Sequence, residues 1–243
     1  VTAQHGGGWL DADTVVSRAS MGVAELAAGA ACDAVDRVLR GDAKTALCLM
    51  RPPGHHAMAQ RAMGFCLFNH VAIAAKVATE EHGLAHVLIV DWDVHHGNGT
   101  EEIFYADGRV GYFSIHRWPF YPGTGAAEET GTGDGLGATR NLPVTLGTTR
   151  EKYFDLFRRE LEDFAARIRP QLVLVSAGFD AHRVDPVGSF VLETEDYALL
   201  SDEVLGLAGE HAGGRVISLL EGGYNPPVLA ECVEVHLRAL LHE

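Results

Sequence analysis

The stretch "VLIVDWDVHHGNG" (Val87–Gly99) runs an apolar segment straight into Asp91, Asp93, His95 and His96. Burial favours the first part and opposes the second, so the four polar groups need a reason to be there. Successive side chains of a strand point to opposite faces. Asp91, Asp93 and His95 are each two apart, so they share one side while the chain stays extended, and His96 points elsewhere. A carboxylate oxygen beside a neutral imidazole nitrogen is half of a site for Zn²⁺ or Fe²⁺. Asp180 in "SAGFDAH" can add a third ligand. Three protein ligands leave a position open for water and substrate, as catalytic rather than structural sites do.

An isolated Asp-x-His is usually no more than a hydrogen-bonded pair; its company changes that. "RPPGHHA" sets His55 and His56 on a loop stiffened by two prolines, where they can move protons. "EGGYN" sets Tyr224 after two glycines, where a phenol can donate to a developing oxyanion.

These groups need a frame. The apolar pattern alternates between helix-like and strand-like segments. Val15 to Leu39 reads as an Ala-rich helix ended by Gly41, and "TALCLM" (Thr45–Met50) as a buried strand. "FNHVAIAAKVATEEHG" reads as a helix closed by Gly83, "HVLIVDWD" and "VGYFSI" (Val110–Ile115) as strands, and Gly123 to Gly137 as a glycine-rich loop. Thr148, three residues before Glu151, reads as a capping box for a helix that stops at Pro170. "LVLVSAG" and "RVISLLEGG" read as strands, with helices over Glu195–His211 and Val228–Leu241. Strands separated by helices predict an α/β fold, a three-layer sandwich with a mainly parallel sheet covered on both faces. Ligands bind beyond the carboxyl ends of such strands. "RPPGHH", "DWDVHHGNG", "SAGFDAH" and "EGGYN" each follow a strand, so the unusual polar residues gather at that one end.

The 243 residues are expected to form one catalytic domain over 1–243. With 19 basic against 33 acidic residues the formal charge is −14, which argues against direct contact with nucleic acid. No apolar run reaches the roughly 20 residues that span a bilayer, and no basic-then-apolar signal opens the chain at Val1. Cys32, Cys48, Cys66 and Cys232 form no Cys-x-x-Cys pair and read as buried free thiols in a reducing compartment. A cytoplasmic location is the matching expectation.

"RPPGHHA", "GFCLFNH", "VDWDVHHGNGT", "YPGTG", "SAGFDAH" and "LEGGYN" occur in this order and cover most of the chain. The sequence closely resembles zinc-dependent histone deacetylases, specifically the class II branch and its bacterial deacetylase-like amidohydrolases of the arginase/deacetylase superfamily. The resemblance implies Zn²⁺ on Asp93, His95 and Asp180, His56 as general base and acid with Asn98 as its partner, and His55 paired with Asp91. It implies Tyr224 as the group that polarises the amide carbonyl. Asp91, the Ser114 hydroxyl and the Ile115 carbonyl are implied to hold K⁺, with a second such ion near Phe104, Asp107 and Val110. Phe65 and Tyr121 resemble the two aromatic walls of an acyl-lysine channel, with Tyr121 where a phenylalanine is usual, and Gly64 before Phe65 would let a substrate chain pass close. The implied reaction is removal of acetyl from the side-chain amine of lysine in peptides or proteins by metal-activated water.

The family's catalytic domain normally begins further upstream, so the resemblance implies that an N-terminal part is missing here. An acetylpolyamine deacetylase is the alternative; polyamine-preferring relatives carry a glutamate where Val187 stands. An arginase-like ureohydrolase would need further acidic ligands in place of His55, His56 and Tyr224. An acyl-lysine reader without turnover would not need Tyr224.

Overall fold

The computed structural model describes residues 6–242; Val1, and the expectation placed on the chain's start, lies outside them. The elements are β1 (Gly7–Trp9), β2 (Val15–Ser17), α1 (Ser20–Arg40), β3 (Thr45–Cys48), α2 (His70–Lys76), β4 (Val87–Asp91), α3 (Asn98–Phe104) and β5 (Val110–Arg117). They continue with β6 (Thr139–Val144), α4 (Arg150–Ile168), β7 (Leu172–Ala177), α5 (Asp196–His211), β8 (Val216–Leu220) and α6 (Pro226–Leu241).

Six strands form one sheet in the order β3-β8-β7-β4-β5-β6, and every neighbouring pair is parallel. Parallel neighbours need crossovers, which helices supply on both faces except between β5 and β6, where residues 118–138 cross without an α-helix. Every residue of β4, β7 and β8 is buried. Their alternating side chains feed two cores. Val87 and Ile89 pack with Ala31, Val35 and Val71 of α1 and α2. Leu88 and Val90 pack with Phe157, Leu200 and Cys232 of α4, α5 and α6. The predicted α/β sandwich is therefore the observed one, and β3, β4, β7 and β8 end at one edge, where the polar motifs begin.

Several local expectations are corrected. The first helix starts at Ser20, because Val15–Ser17 pairs with Gly7–Trp9 as a small antiparallel hairpin. β3 is shorter than "TALCLM" and half-buried throughout, since it is an edge strand with β8 on one side only. The N-cap of α4 is Thr149, which accepts from Lys152 N at 3.3 Å, rather than Thr148. α2 is capped by Asn69 and its last turn widens to a π-helix over Val77–Glu81. Cys66 and Cys232 are buried, but Cys32 and Cys48 are only half-buried; all four are free. Among the described residues no helix is long and apolar enough to cross a membrane.

Candidate active site

β4 ends at Asp91, so Asp93 and His95 are not held by an extended strand. Two successive side-chain turns hold them instead. Asp91 Oδ1 accepts from Asp93 N at 3.1 Å, and Asp93 Oδ1 accepts from His95 N at 2.9 Å. Such turns suit aspartate, whose short carboxylate reaches the backbone two residues on. Asp180, in the loop after β7, accepts from Val94 N through Oδ1 at 3.0 Å. Its Oδ2 is buried without a hydrogen bond and lies 3.0 Å from His95 Nδ1. Asp93 Oδ1 is also 3.0 Å from His95 Nδ1, while Oδ2 accepts from Gly222 N at 2.9 Å. One ligand atom from each of Asp93, His95 and Asp180 thus falls within 4.8 Å of the others. A Cβ on Gly222 would stand 2.3 Å from Asp180 Oδ2 and 2.6 Å from Asp93 Oδ2, so only glycine fits beneath the cluster.

The electrostatics match a cation. Burial pushes the Asp180 carboxyl up to about 6, with Asp93 adding to it. Burial alone would lower His95, but the carboxylates of Asp180 and Asp93 outweigh it and hold the ring up near 10. Two carboxylates and an imidazole brought together in one buried cluster form the oxygen–nitrogen donor set of a divalent metal.

The two adjacent histidines stand in different surroundings. Glu221 accepts from Gly54 N at 2.6 Å and His55 N at 3.1 Å, fixing their loop to the end of β8. Asn69 Nδ2 donates to Ala57 O at 3.1 Å from the other side. His55 Nδ1 is 3.0 Å from Asp91 Oδ2. Burial opposes the His55 charge, yet Asp91, Asp93 and Glu221 together hold it well above its usual range. His56 Nδ1 lies 2.8 Å from Asn98 Oδ1. That oxygen only accepts, so Nδ1 carries the proton and Nε2 keeps its lone pair. Burial, then the His55 charge, holds His56 well below its usual range. Neighbouring groups driven apart in this way are the pattern of an acid–base pair.

Above the cluster opens a channel of about 180 Å³. His56, Gly64, Phe65, His95, Tyr121, Val187 and Tyr224 line it, together with Asp13 and Phe120, which the sequence reading missed. Phe120 stacks on the His95 ring at 5.0 Å and 14°. Its one signal was adjacency to Tyr121; Asp13 had none. Phe65 has φ 67°, a left-handed conformation that costs a non-glycine residue about 1–3 kcal/mol. Thr14 Oγ1 accepts its N–H at 3.1 Å, and its ring meets Tyr224 edge-on at 5.9 Å. Burial, reinforced by Asp180 and Asp93, drives the Tyr224 phenol far above its usual range, so it remains a donor.

His96, which the sequence left without a role, points away from the channel. Its Nδ1 lies 2.8 Å from Thr124 Oγ1 and its Nε2 3.2 Å from Glu101 Oε2. Asp91 pairs in register with Ser114, whose hydroxyl is 2.9 Å from His116 Nδ1. Ile115 follows on the same strand, and Phe104, Asp107 and Val110 lie at the turn between α3 and β5.

Residues 2–240 match the model of the histone deacetylase domain. The chain belongs to the histone deacetylase family. It is 42% identical to a "Probable deacetylase" of Archaeoglobus fulgidus over 90% of this chain and 61% of that one. It is 40% identical to a "Histone deacetylase-like amidohydrolase" of Pseudomonas aeruginosa over 93% of this chain and 60% of that one. It therefore spans about three-fifths of the length of these two relatives. The crystal structure of the HDA15 HD domain superposes with a TM-score of 0.93 at 40% identity, covering 100% of this chain and 69% of that one.

Proposed function

We propose that this chain is a zinc-dependent deacetylase that removes acetyl from the side-chain amine of acetyl-lysine in peptides or proteins. One observation carries the reading. A buried Asp93–His95–Asp180 cluster meets, through His95, a channel lined by Phe65, Phe120 and Tyr121, with His56 and Tyr224 beside it. The channel fits an extended alkyl-amide side chain rather than a bulky one.

Asp93, His95 and Asp180 would hold the metal, which when bound polarises the amide carbonyl and acidifies water. Asn98 orients His56 so that Nε2 can take the proton from the attacking water and pass it to the departing amine. His55, kept charged by Asp91, adds positive potential beside that base. The Tyr224 phenol donates to the oxyanion that forms on the acetyl carbon; loss of one such donor typically costs about 100- to 1000-fold in rate. Acetate and the free amine leave. K⁺ beside Asp91, Ser114 and Ile115 belongs to the same reading, supported by the buried Asp91 carboxylate opposite Ser114.

One observation favours an acetylpolyamine as the alternative substrate: Asp13, an acidic group, stands in the channel lining. The apolar Val187 offers a second cationic amine nothing at the mouth. A matched panel of acetyl-lysine peptides and N-acetylpolyamines, assayed with zinc-loaded protein and with Tyr224→Phe, tests both. Turnover of peptides that collapses in Tyr224→Phe is expected; hydrolysis of neither class refutes the reading.

A further inference from the structure

Asp185 is a buried carboxylate in the loop after Asp180, and it is not among the residues that line the channel. It faces three backbone amides. Oδ1 accepts from Val187 N at 2.8 Å and Gly188 N at 2.9 Å. Oδ2 accepts from Tyr224 N at 2.7 Å, 39 residues further along the chain. The first two bonds are a local aspartate turn and need one acceptor oxygen. The third needs a second oxygen, which asparagine, serine or threonine could not offer in the same place.

Those amides belong to two segments with different duties. One carries the Tyr224 phenol and the other carries Val187 at the channel mouth. Their neighbours repeat the connection. Asn225 Nδ2 donates to Val184 O at 3.2 Å. Arg117 donates to Gly188 O at 2.9 Å and lays its guanidinium 4.0 Å from the centre of the Phe120 ring, which stacks on His95. Beyond the ring contact with Phe65 and the Arg51 guanidinium 5.9 Å from the centre of its ring, what places the Tyr224 phenol is its backbone. A donor of this kind must be held to within about 0.5 Å to act on a transition state.

We propose that Asp185 is a positioning residue for Tyr224: its carboxylate joins the backbone that carries the phenol to the turn that carries Val187, and so fixes the donor relative to the channel mouth. The kinetic arm of the test rests on the deacetylase reading above.

Asp185→Asn keeps the size of the side chain but leaves one acceptor oxygen. The turn uses that oxygen twice, so the Tyr224 amide is the one released. In hydrolysis of an acetyl-lysine peptide, kcat is expected to fall about 10- to 100-fold, because a misplacement near 1 Å costs up to about 100-fold. KM is expected to change by less than about threefold, since the lost contact matters in the transition state. In a Tyr224→Phe background the same substitution should lower kcat no further, because its effect passes through a phenol already removed. Multiplying losses in the double variant overturn the proposal.

A second readout needs no catalysis. Native-state amide exchange at Tyr224 should quicken by about tenfold or more in Asp185→Asn, with Val187 and Gly188 still protected. Unchanged exchange at Tyr224 overturns the proposal. If the variant does not fold, the wild type decides: exchange of Tyr224 N–H at the rate of an unstructured peptide overturns it, and slow exchange in step with Val187 and Gly188 supports it. If wild-type protein hydrolyses no acetylated amine, the deacetylase reading fails, and the exchange experiment still decides the role of Asp185.

Discussion

Replacing Glu221 tests how the two histidines are held in place. Glu221 follows β8, is 1% exposed, and accepts three hydrogen bonds. Oε2 takes Gly54 N and His55 N, and Oε1 takes the Ser176 hydroxyl at 3.1 Å. In Glu221→Ala the hydroxyl can turn to another acceptor but the two buried amides cannot. Each buried donor left without a partner costs about 1–3 kcal/mol, so the variant should lose about 2–6 kcal/mol. For a chain of this size each kcal/mol is worth about 2–4 °C, so the thermal midpoint should fall by about 4–24 °C. Glu221→Gln behaves differently. Its carbonyl oxygen can take the place of Oε2, and its amide can donate to Ser176, whose hydroxyl also accepts. Burial pushes the Glu221 carboxyl up to about 7, so a neutral side chain is tolerated there. Its midpoint should stay within a few degrees of wild type. Thermal unfolding followed by circular dichroism on the three proteins provides the assay. If the glutamine variant is as unstable as the alanine variant, or the alanine variant loses less than about 1 kcal/mol, the backbone clamp is not what Glu221 supplies.

Three further outcomes follow from the same geometry. Zn²⁺ at about 100 times its dissociation constant should stabilise the wild type by about 2.7 kcal/mol, and Asp180→Ala should abolish that shift; a shift that survives places the metal elsewhere. Gly222→Ala drives a Cβ into the Asp93 and Asp180 carboxylates, so it should weaken zinc binding in calorimetry at least as much as it weakens the fold. An unchanged affinity contradicts the packing argument. His236 is held by Ser201 and Ser218 at 2.6 and 2.7 Å, and burial lowers it from its ordinary 6.5 to about 4. The unfolded chain therefore takes up this proton first as pH falls. Stability from the neutral ring is complete above pH 6.5 and lost between 6.5 and about 4. Urea midpoints of wild type and His236→Gln should converge across that window; a constant gap refutes the assignment.

That the candidate site residues gather in one place was legible in the sequence, because they end or follow strands and a parallel sheet brings the ends of its strands to one edge. The periodicity of Val87–Val90 and Leu172–Val175 gave those strands directly, since both faces are buried and the apolar run is continuous. What supports the site was not legible. Glu221, Asp185 and Thr14 accept from backbone amides between 39 and 167 residues away, and a local pattern does not reveal so distant a partner. The short elements were missed for a related reason. β6, "TRNLPV", is half-polar and contains Pro143, and it is a strand because β5 offers it an edge. α3 begins inside "HHGNGT", whose glycines read as loop. The edge position of β3 was hidden because apolar composition does not distinguish one neighbour from two.

Both His-His pairs divide their work in the same way. In each pair one ring lines the channel and the other does not: His56 and His95 line it, while His55 and His96 bond to groups outside it. His55 meets Asp91, and His96 meets Thr124 and Glu101. Thr124 lies three residues past Tyr121, on the segment that carries the Phe120–Tyr121 wall. His96 therefore ties that wall to the end of β4, and neither of its side-chain hydrogen-bond partners, Thr124 and Glu101, belongs to the Asp93–His95–Asp180 cluster. His96→Ala should free Thr124 and slacken the wall, while Glu101 keeps its partner Asn141. The expected result is a KM raised several-fold, with kcat falling less and zinc affinity unchanged, measured by steady-state kinetics beside calorimetry. Parallel loss of zinc affinity would mean that His96 supports the ligand His95 itself, and the division of labour between neighbouring rings would not hold.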